Sequence, residues 1–500
     1  MSEDNELYQQ RLANLAELQR IGVETYPRTF VRTDTISGLV AAHGERTAPD
    51  LEALRPETTT AGRILAVRTF GKANFLVLSD GVNRIQAYIR QDSVPERDFA
   101  GFKLLDFGDF VGVQGRVFRT KTNELTVWAS GLTFLAKCLR PLPEKWHGLQ
   151  DVEIRYRQRY LDLIVNPDSR RVFEVRARVV AALRRFLDAR GFLEVETPMM
   201  QPLAGGALAR PFVTHHNALD MTLYLRIAPE LYLKRLTVGG VERVFEINRN
   251  FRNEGISTQH NPEFTMLEFY QAYADYRDLM DLTEEMLATV AREATGSDTS
   301  TFGGETINFA APYRRVSLRE AAREAASRRL GAEVAPDALR DLGKAAALAT
   351  RLGVTYPDGS GPGKIATAIF ETLCEASLVQ PTFVYDFPTE VSPLSKQRPD
   401  DPDTVERFEL YAGRFELANA FSELNDPAEQ RRRFEAQLAD RQRGDAEAHA
   451  MDEDYIRALE YGMPPAGGEG VGVDRLVMLL TGSPSIRDVI LFPLMRPQAD

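Results

Sequence analysis

Five short β-rich runs lie between Gly62 and Leu135, and their spacing constrains the fold of this segment more tightly than any other feature of the chain. Turn-forming residues separate the runs at Gly71-Lys72, Ser79 to Asn83, and Thr120 to Asn123. The runs themselves are Arg63 to Val67, Asn74 to Leu78, Arg84 to Ile89, Phe110 to Phe118, and Glu124 to Trp128. We therefore expect five β-strands within one small unit.

Five strands within about 75 residues favour a small Greek-key barrel such as an OB-fold, which often binds single-stranded nucleic acid. A barrel with a purely structural role is the alternative, because a fold alone does not specify a function. Residues 3 to 20 have the apolar spacing of an amphipathic packing helix, and residues 139 to 148 read as a proline-stiffened linker. The predicted organisation is a helical extension (1–59), a barrel (60–137), a linker (138–150) and a larger region (151–500).

Composition argues against several classes of protein. With 43% hydrophobic and 27% charged residues, the chain of 500 residues is typical of a globular protein with at least two domains. Its acidic start lacks the pattern of a secretory signal, and no apolar run approaches membrane-spanning length, so we expect a cytoplasmic protein without a membrane segment. Cys138 and Cys374 lack zinc-site spacing, and we expect both to be reduced thiols. A net charge of -11 argues against a general nucleic-acid coat.

Residues 243 to 273 predict a long antiparallel hairpin with a polar loop from Asn253 to Pro262. Burying a carboxylate without a partner costs free energy or shifts its pKa, so Glu268 implies a cationic partner. That partner is either an arginine of the protein or a cationic substrate. Because side chains two residues apart share a strand face, one side of the second strand is lined by Phe264, Met266, Glu268 and Tyr270.

A third strand region begins at Glu409 and carries several polar side chains. Glu416 has the opposite parity to Asn419, Phe421 and Glu423, so a turn at residues 412–414 or a β-bulge must reset the register. Spaced carboxylates here are compatible with Mg²⁺, which typically takes one or two protein carboxylates together with phosphates and water. Solvent-exposed acidic residues would give the same spacing.

Residues 467 to 476 predict a glycine-rich turn that enters an apolar helix ending at Leu480. Glycine allows close approach of a ligand to the backbone, and Arg475 at the helix start would reach a phosphate. The motif lacks the Gly-Lys-Ser/Thr ending of a P-loop and the preceding strand of a dinucleotide fingerprint. Farther upstream, a helix from Arg170 to Arg190 precedes a short strand from Phe192 to Pro198.

Together these residues resemble the class II aminoacyl-tRNA synthetases. Gly191 through Pro198, Phe251 through Glu254 with Phe264, and Gly470 through Arg475 match the three motifs of that class in order and spacing. Within the class, the chain resembles bacterial lysyl-tRNA synthetases over essentially its whole length. Segments at residues 205–212, 228–234, 249–255 and 421–426 support this; each is shared with aspartyl and asparaginyl relatives, but the combination is specific.

The resemblance implies an α+β chain. An N-terminal OB-fold β-barrel would bind the anticodon, and a class II catalytic domain would hold an antiparallel sheet flanked by helices, with a helical insertion at about residues 315–380. The implied reaction activates L-lysine with ATP to lysyl-adenylate and transfers it to the 3′-terminal ribose of tRNA(Lys), releasing AMP and pyrophosphate. Mg²⁺ is the implied cofactor. Motif one normally forms a dimer interface, so Glu196, Thr197 and Pro198 imply a homodimer by analogy.

The resemblance also implies roles for individual residues. Arg252 and Arg475 would be catalytic, on the α- and γ-phosphates respectively, and Glu409 and Glu416 would hold Mg²⁺. ATP would contact Arg252, Glu254, His260, Phe264, Gly470 and Arg475. Lysine would contact Gly206, Glu230, Arg252, Glu268, Tyr270, Asn419, Phe421 and Glu423. The anticodon would contact Arg68, Phe75, Gln86 and Glu124, although Phe75 could instead be a core residue.

One departure from the family pattern is local. Ala418 and Ala420 stand where relatives often carry glycine, and we expect their methyl groups to lie near the ATP site. Two alternative functions differ in class. A paralogue that attaches lysine to a protein would typically lack the barrel, and a catalytically inactive RNA-binding relative would not need Arg252, Glu409, Glu416 and Arg475.

Overall fold

The computed structural model describes residues 3–70, 73–143, 149–207, 209–442 and 451–497. The predicted turn at Gly71-Lys72, five residues of the predicted linker (144–148) and Leu208 lie outside the described residues. The chain divides into two compact units, Met1–Arg170 and Arg171–Asp500. Within the described ranges, no helix combines the length and apolar character needed to cross a bilayer.

The first unit contains a closed five-stranded barrel with the strand order β1-β2-β3-β5-β4. Its strands are β1 (Glu57–Phe70), β2 (Ala73–Ser79), β3 (Arg84–Ile89), β4 (Phe110–Arg119) and β5 (Leu125–Ala136). All five predicted strands are present, and four of them extend beyond the predicted ends because neighbouring strands continue the backbone pairing. The prediction of an OB-fold barrel is confirmed.

Helices accompany this barrel in the first unit. They are α1 (Glu3–Arg20), α2 (Ile36–His43), α3 (Ala48–Leu54), α4 (Glu96–Phe102), α5 (Val152–Arg157) and α6 (Arg159–Val165). The segment from 25 to 59 thus holds two helices, α2 and α3. Thr35 and Thr47 explain why, since each accepts a hydrogen bond from the first turn of the helix that follows it. Apolar side chains from α2 and α3 join those of the barrel interior in one core.

The second unit is built on an eight-stranded sheet with the order β14-β15-β16-β17-β18-β11-β10-β6. Its strands are β6 (Leu193–Glu194), β10 (Arg243–Phe251), β11 (Glu263–Ala272), β14 (Arg314–Ser317), β15 (Thr382–Pro388), β16 (Thr404–Ala412), β17 (Phe415–Ser422) and β18 (Ala466–Gly472). Pairing is antiparallel except at the two ends, β14 with β15 and β10 with β6. Smaller sheets comprise β7 (Met200–Gln201), β8 (Val213–His216), β9 (Met221–Leu225), β12 (Thr299–Phe302) and β13 (Glu305–Asn308).

Helices cover one face of the large sheet. The long helices α7 (Pro167–Asp188) and α9 (Tyr276–Thr295) contribute, with α15 (Val473–Thr481), to a core that also contains Leu267 and Phe269 from β11. In α9, Asp275 and Asp278 form a capping box at the start, and Gly296, with φ +83°, ends the helix. Outside the helical insertion, this unit also contains α8 (Glu230–Val238), α13 (Pro427–Gln442), α14 (Glu453–Glu460) and α16 (Ile486–Val489).

The predicted helical insertion lies between two strands of the large sheet. Helices α10 (Leu318–Leu330), α11 (Leu342–Leu352) and α12 (Pro362–Leu373) follow β14 and precede β15. The first residues of the predicted range, from 315 to 317, belong to β14. These helices share a separate apolar core with side chains from β15 and β16.

One sequence-based interpretation is wrong. Residues 467 to 472, expected to be a glycine-rich turn, form most of β18 in the interior of the sheet. Glycine is unfavourable in an isolated strand. Here, however, β11 pairs with one side of β18 and β17 with the other, so tertiary pairing outweighs the local preference. The predicted hairpin of β10 and β11 is confirmed.

Candidate active site

A cleft of about 250 Å³ opens on the sheet face opposite the main core. Strands β11, β17 and β18 form its floor, and the loop between β10 and β11 forms part of its wall. Glu409 and Glu423 do not line it. Most of the residues proposed from the sequence for lysine, ATP or Mg²⁺ do line it, namely Gly206, Glu230, Arg252, Glu254, His260, Phe264, Glu268, Tyr270, Glu416, Asn419, Phe421, Gly470 and Arg475.

Strand register explains why these side chains meet. Residues directly opposite one another in adjacent antiparallel strands point to the same side of the sheet. Glu268 on β11 is opposite Gly470, Gly470 is opposite Asn419, and Asn419 is opposite Glu409. A second row, two residues along, is Tyr270, Gly468, Phe421 and Arg407. Residues far apart in sequence thus form two parallel rows across four strands.

Each row contains one glycine of β18, Gly470 or Gly468, so neither row has a side chain at that point of the cleft floor. A Cβ atom at Gly468 would lie 2.1 Å from Oε1 of Glu423 and 2.4 Å from the Tyr270 ring. A Cβ atom at Gly470 would lie 3.0 Å from the terminal methyl of Met266. Gly468 is therefore required on steric grounds, because any side chain there would displace the groups beside it.

Three buried carboxylates lie at one end of the cleft; Glu230 and Glu268 line it, and Glu423 lies beside Gly468 of its floor. Glu268 is 5% exposed, Glu423 is 1% exposed and Glu230 is 7% exposed. Burial raises the pKa of Glu268 to about 8, and the nearby charge of Glu230 contributes to that rise. Burial likewise raises the pKa of Glu423 to about 8, against the opposing effect of Lys234. Tyr270 donates a long hydrogen bond of 3.4 Å to Glu268.

Two cationic side chains, not identified from the sequence, partner buried carboxylates here. Nζ of Lys234 lies 2.5 Å from Oε1 of Glu230 and forms an ion pair with Glu423. Arg226 donates a 2.8 Å hydrogen bond to Glu246, the residue opposite Glu268 in the hairpin. Glu268 itself has no ion pair with a lysine or arginine within the described residues, so it is the carboxylate most open to a cationic ligand.

The arginines lie toward the other end of the cleft. The guanidinium of Arg252 lies 5.1 Å from the centre of the Phe264 ring, and its buried Nε has no hydrogen-bond partner among the described residues. Arg475 donates a 2.6 Å hydrogen bond to the carbonyl of Glu416, and its Nη2 lies 3.2 Å from Nε2 of His260. Burial lowers the pKa of His260, as does the nearby charge of Arg475. Two cations thus border the same space, which suits a polyanionic ligand.

Arg475 is positioned by its neighbour in sequence. Asp474 accepts a 2.7 Å hydrogen bond from the backbone N–H of Thr265 on β11 and forms an ion pair with Arg176 on α7. The start of α15 is thereby attached to both β11 and α7. Because α15 follows β18 without a loop, the direction of Arg475 is determined by the sheet.

A β-bulge places Glu409 and Glu416 on the same side of the sheet. β16 and β17 form a hairpin whose register shifts between Leu410 and Tyr411, so Tyr411 is opposite Glu416 and Leu417 is the extra residue. Of the two explanations for the parity of Glu416, the bulge applies. Glu409 forms an ion pair with Arg407 and accepts a hydrogen bond from the hydroxyl of Tyr411. Burial raises the pKa of Glu409 to about 7.

These two carboxylates are compatible with a magnesium ion. Within the described ranges, no group of three or more His, Cys, Asp or Glu side chains is placed to hold a metal. Mg²⁺ does not require such a group, because it is commonly bound through one or two carboxylates together with phosphates and water. Glu416 faces the cleft, and Glu409 lies on the same sheet face one strand away.

Ala418 and Ala420 occupy positions different from those expected. Both belong to the main apolar core, because they have the opposite parity to Asn419. Ala418 also borders the cleft, whereas Ala420 is fully buried and does not. The expectation that both methyl groups lie near the ATP site is therefore wrong for Ala420.

The barrel carries a second candidate surface, formed in the first unit alone. Phe75 is half-buried outside the barrel core and stacks on Tyr88, with ring centres 4.9 Å apart. It is opposite the exposed Arg68. Gln86 lies on the same outer face and accepts a 3.1 Å hydrogen bond from Thr126. Glu124, just before β5, is exposed. The core interpretation of Phe75 is thus disfavoured.

Besides Arg226, sequence reasoning missed Lys234 and Arg407, for which the sequence does contain a signal. Lys234 follows Glu230 by four residues at the start of α8, a spacing typical of helical ion pairs. Arg407 precedes Glu409 by two residues in β16 and donates a 3.0 Å hydrogen bond to Asn419. Both signals are present in the sequence, but the sequence alone does not show that these side chains are buried.

Comparison with known proteins agrees with this geometry. Residues 151–496 match the family described as tRNA synthetases class II (D, K and N), and residues 58–135 match the OB-fold nucleic acid binding domain family. The chain is 56% identical over 495 residues to a lysine–tRNA ligase of Carboxydothermus hydrogenoformans, covering 99% of both chains. It is 51% identical over 492 residues to a lysine–tRNA ligase of Bacillus subtilis, covering 98% of this chain and 97% of that relative.

Proposed function

The chain belongs to the lysine–tRNA ligase family of the class II tRNA synthetases, and from this premise we propose how its residues divide the work of that reaction. The reaction joins L-lysine to ATP as lysyl-adenylate and then transfers the lysyl group to the 3′-terminal ribose of tRNA(Lys). One observation carries the assignment of residues. Buried carboxylates lie at one end of the cleft, and two arginines lie at the other.

The carboxylate end is the proposed site for lysine. Glu268, Tyr270 and Glu423 would surround the ε-ammonium, and Phe421 would pack against the aliphatic stem. Glu230 and the backbone of Gly206 would bind the α-ammonium. Asn419 and Arg252 would bind the carboxylate of lysine. An aspartate-specific site would instead need a cation where Glu268 lies, and Glu268 has no ion-pair partner of its own among the residues described.

The arginine end is the proposed site for ATP. Arg252 would contact the α-phosphate and Arg475 the γ-phosphate, while Phe264 would stack on adenine. Glu254, His260 and the backbone of Gly470 would complete the nucleotide contacts. Glu409 and Glu416 would hold Mg²⁺, which supplies charge neutralisation for the phosphates when bound.

Positioning and charge stabilisation account for the proposed chemistry. In the first step, a carboxylate oxygen of lysine forms a bond to the α-phosphorus while the bond to pyrophosphate breaks. Arg252 would contact both reacting groups and stabilise the charge that develops between them. In the second step, the ribose 3′-hydroxyl attacks the carbonyl of lysine and AMP leaves. Neither step requires a covalent intermediate with the enzyme.

The barrel is the proposed anticodon-binding domain. Phe75 would stack on a base, and Arg68, Gln86 and Glu124 would contact base edges or the backbone of tRNA. The divisions 1–59, 60–137, 138–150 and 151–500 are proposed as the functional parts of the chain. We also propose a cytoplasmic location and a homodimer. Support for the dimer comes from the exposed apolar side chains of Leu193, within the motif-one segment, and Met200, just after it.

Pyrophosphate exchange with each amino acid in turn tests the proposed function. Lysine should support rapid ATP-dependent exchange, and aspartate and asparagine should not. Ornithine, one methylene shorter, should be rejected by a finite factor equivalent to about 1–3 kcal/mol. Absence of exchange with lysine, or faster exchange with another amino acid, would overturn the assignment. Charging of tRNA(Lys), compared with labelling of protein acceptors, distinguishes the ligase from a protein-modifying paralogue.

A further inference from the structure

Lys234 is a fully buried ammonium group that the proposed reaction does not use. Its side chain on α8 is 0% exposed. Nζ lies 2.5 Å from Glu230 and forms an ion pair with Glu423. It also lies 5.1 Å from the centre of the Phe421 ring. Burying an ammonium is costly unless it is well paired, so these contacts hold the side chain in place.

The contacts of Lys234 coincide with the proposed contacts of the substrate. Glu230 is the proposed ligand of the α-ammonium, Glu423 that of the ε-ammonium, and Phe421 packs on the stem between them. Lys234 itself does not line the cleft. It therefore lies behind Glu230, which lines the cleft, and links it to Glu423, which lies just outside the cleft lining. In this way Lys234 bridges the two ends of the proposed lysine site.

The net charge of the pocket explains why a cation is useful at this position. Glu230, Glu268 and Glu423 together carry three negative charges when ionised, and Lys234 neutralises one of them. The remaining two match the two ammonium groups of lysine. The substrate carboxylate is left for Arg252. Without Lys234, the ionised pocket would carry one more negative charge than the substrate has ammonium groups.

We propose that Lys234 is a positioning residue for lysine, an inference that rests on the proposed function. Its ammonium favours the ionised forms of Glu230 and Glu423 and fixes both side chains, so that the ionised pocket presents two net negative charges to the two cations of the substrate. A desolvated carboxylate that loses its cation takes up a proton more readily, and a neutral carboxyl binds ammonium poorly.

Other ionisable side chains lie around Lys234, Glu230 and Glu423, and a substitution at Lys234 leaves these side chains in place. Glu268 and Tyr270 approach from β11, Arg407 from β16 and Tyr455 from α14. Burial alone would lower the pKa of Lys234, but Glu230 and Glu423 raise it above its usual value, so the side chain stays charged throughout the physiological range. The carboxylates, and not Lys234, are the groups that titrate.

The experiment compares neutral and charged substitutions in lysine-dependent pyrophosphate exchange. Lys234→Met and Lys234→Gln should raise KM for lysine about tenfold at neutral pH, because each further rise of about one unit in a carboxyl pKa lowers the ionised fraction about tenfold. KM for ATP should change little. The KM for lysine should fall toward the wild-type value as pH rises, whereas Lys234→Arg should keep the wild-type pH profile.

Lys137 in the first unit provides a matched control. Its side chain is also 0% exposed and is paired with two carboxylates, those of Asp106 and Asp109. Lys137→Met should lower thermal stability without altering KM for lysine or its pH profile. Comparison with this variant separates the general effect of removing a buried ammonium group from the specific effect of removing the one beside the proposed lysine site.

The outcomes distinguish this inference from the proposed function. If the wild-type protein shows no lysine-dependent exchange, the proposed function fails. If it does, and the neutral Lys234 variants keep the wild-type KM and pH profile, the role of Lys234 is refuted. Should neither neutral variant fold, a pH profile for Lys234→Arg that is displaced from the wild-type profile would overturn the inference.

Discussion

Lysine binding is expected to become tighter as pH rises through neutrality. In the ligand-free protein, burial raises the pKa of both Glu268 and Glu423 to about 8. Glu268 has no lysine or arginine ion-pair partner among the described residues and is therefore largely protonated at neutral pH, whereas Glu423 keeps its charge to the extent that Lys234 stabilises it. Both must be ionised to bind the ε-ammonium. The ammonium of lysine remains charged over this range, with a pKa of about 10.4. Binding should thus release protons from the protein.

The size of the effect follows from these pKa values. Between about pH 6.5 and about pH 7.5, Kd for lysine should fall about eightfold if one carboxyl must lose its proton, and about sixtyfold if both must. Because the two carboxyls interact, the observed change should lie between these limits. Calorimetric titration in two buffers of different ionisation enthalpy measures both Kd and the number of protons released.

Glu423→Gln is the control for this prediction. The amide cannot titrate or provide a negative charge, so KM for lysine should rise far more than KM for ATP, and one proton fewer should be released. A Kd for lysine that is constant over this range, or proton uptake on binding, would refute the reasoning. Equal increases in the two KM values would instead show that Glu423 is wrongly assigned to lysine.

Three further predictions concern other parts of the structure. Gly468→Ala should raise KM for lysine about tenfold or more while sparing ATP, since its Cβ would lie 2.1 Å from Glu423 and overpacking costs about 1–3 kcal/mol; an unchanged KM for lysine in pyrophosphate exchange would contradict this. Phe75→Ala should slow tRNA charging and leave lysine-dependent exchange intact, and loss of exchange would indicate misfolding instead. Glu469 is buried with a pKa raised to about 8, so its contribution to stability is full below the unfolded pKa of about 4.3 and is lost as pH rises toward 8. In Glu469→Gln, the free energy of unfolding measured in urea should fall less between acidic and alkaline pH than in the wild type. The same pH dependence of the unfolding free energy in both proteins would exclude this role of Glu469.

The sequence predicted much of the local structure, because hydrophobic alternation and turn residues are local signals. The barrel strands and the β10–β11 hairpin were recognised in this way. The same reasoning failed for β18, whose glycines have no strand preference and whose structure depends on β11 and β17. Propensity describes an isolated segment, whereas the two neighbouring strands here determine the conformation.

The candidate site shows a similar division. Glu268 and Tyr270 were correctly placed on one face, because side chains two residues apart in a strand point to the same side. The partner of Glu423 could not be predicted, since Lys234 reaches it from a helix much earlier in the chain. Likewise, the parity of Glu416 indicated that the register is reset, but the choice between a turn and the bulge at Leu417 depends on hairpin pairing and could not be made from the sequence. Contacts between segments far apart in the chain could not be predicted from the sequence.

The two faces of the central strands have opposite effects on stability, and the fold depends on the difference between them. Toward the cleft, β18 presents glycines and β11 presents a buried carboxylate, both of which are unfavourable for folding. Toward the helices, the same strands present Leu267, Phe269 and Val471, all fully buried in the main core. Burial of each large apolar side chain contributes about 1.5–3 kcal/mol, so the helix-covered face can offset the cost of the binding face. A charged site for a charged substrate is therefore tolerated here because each strand that carries it is anchored on its other side.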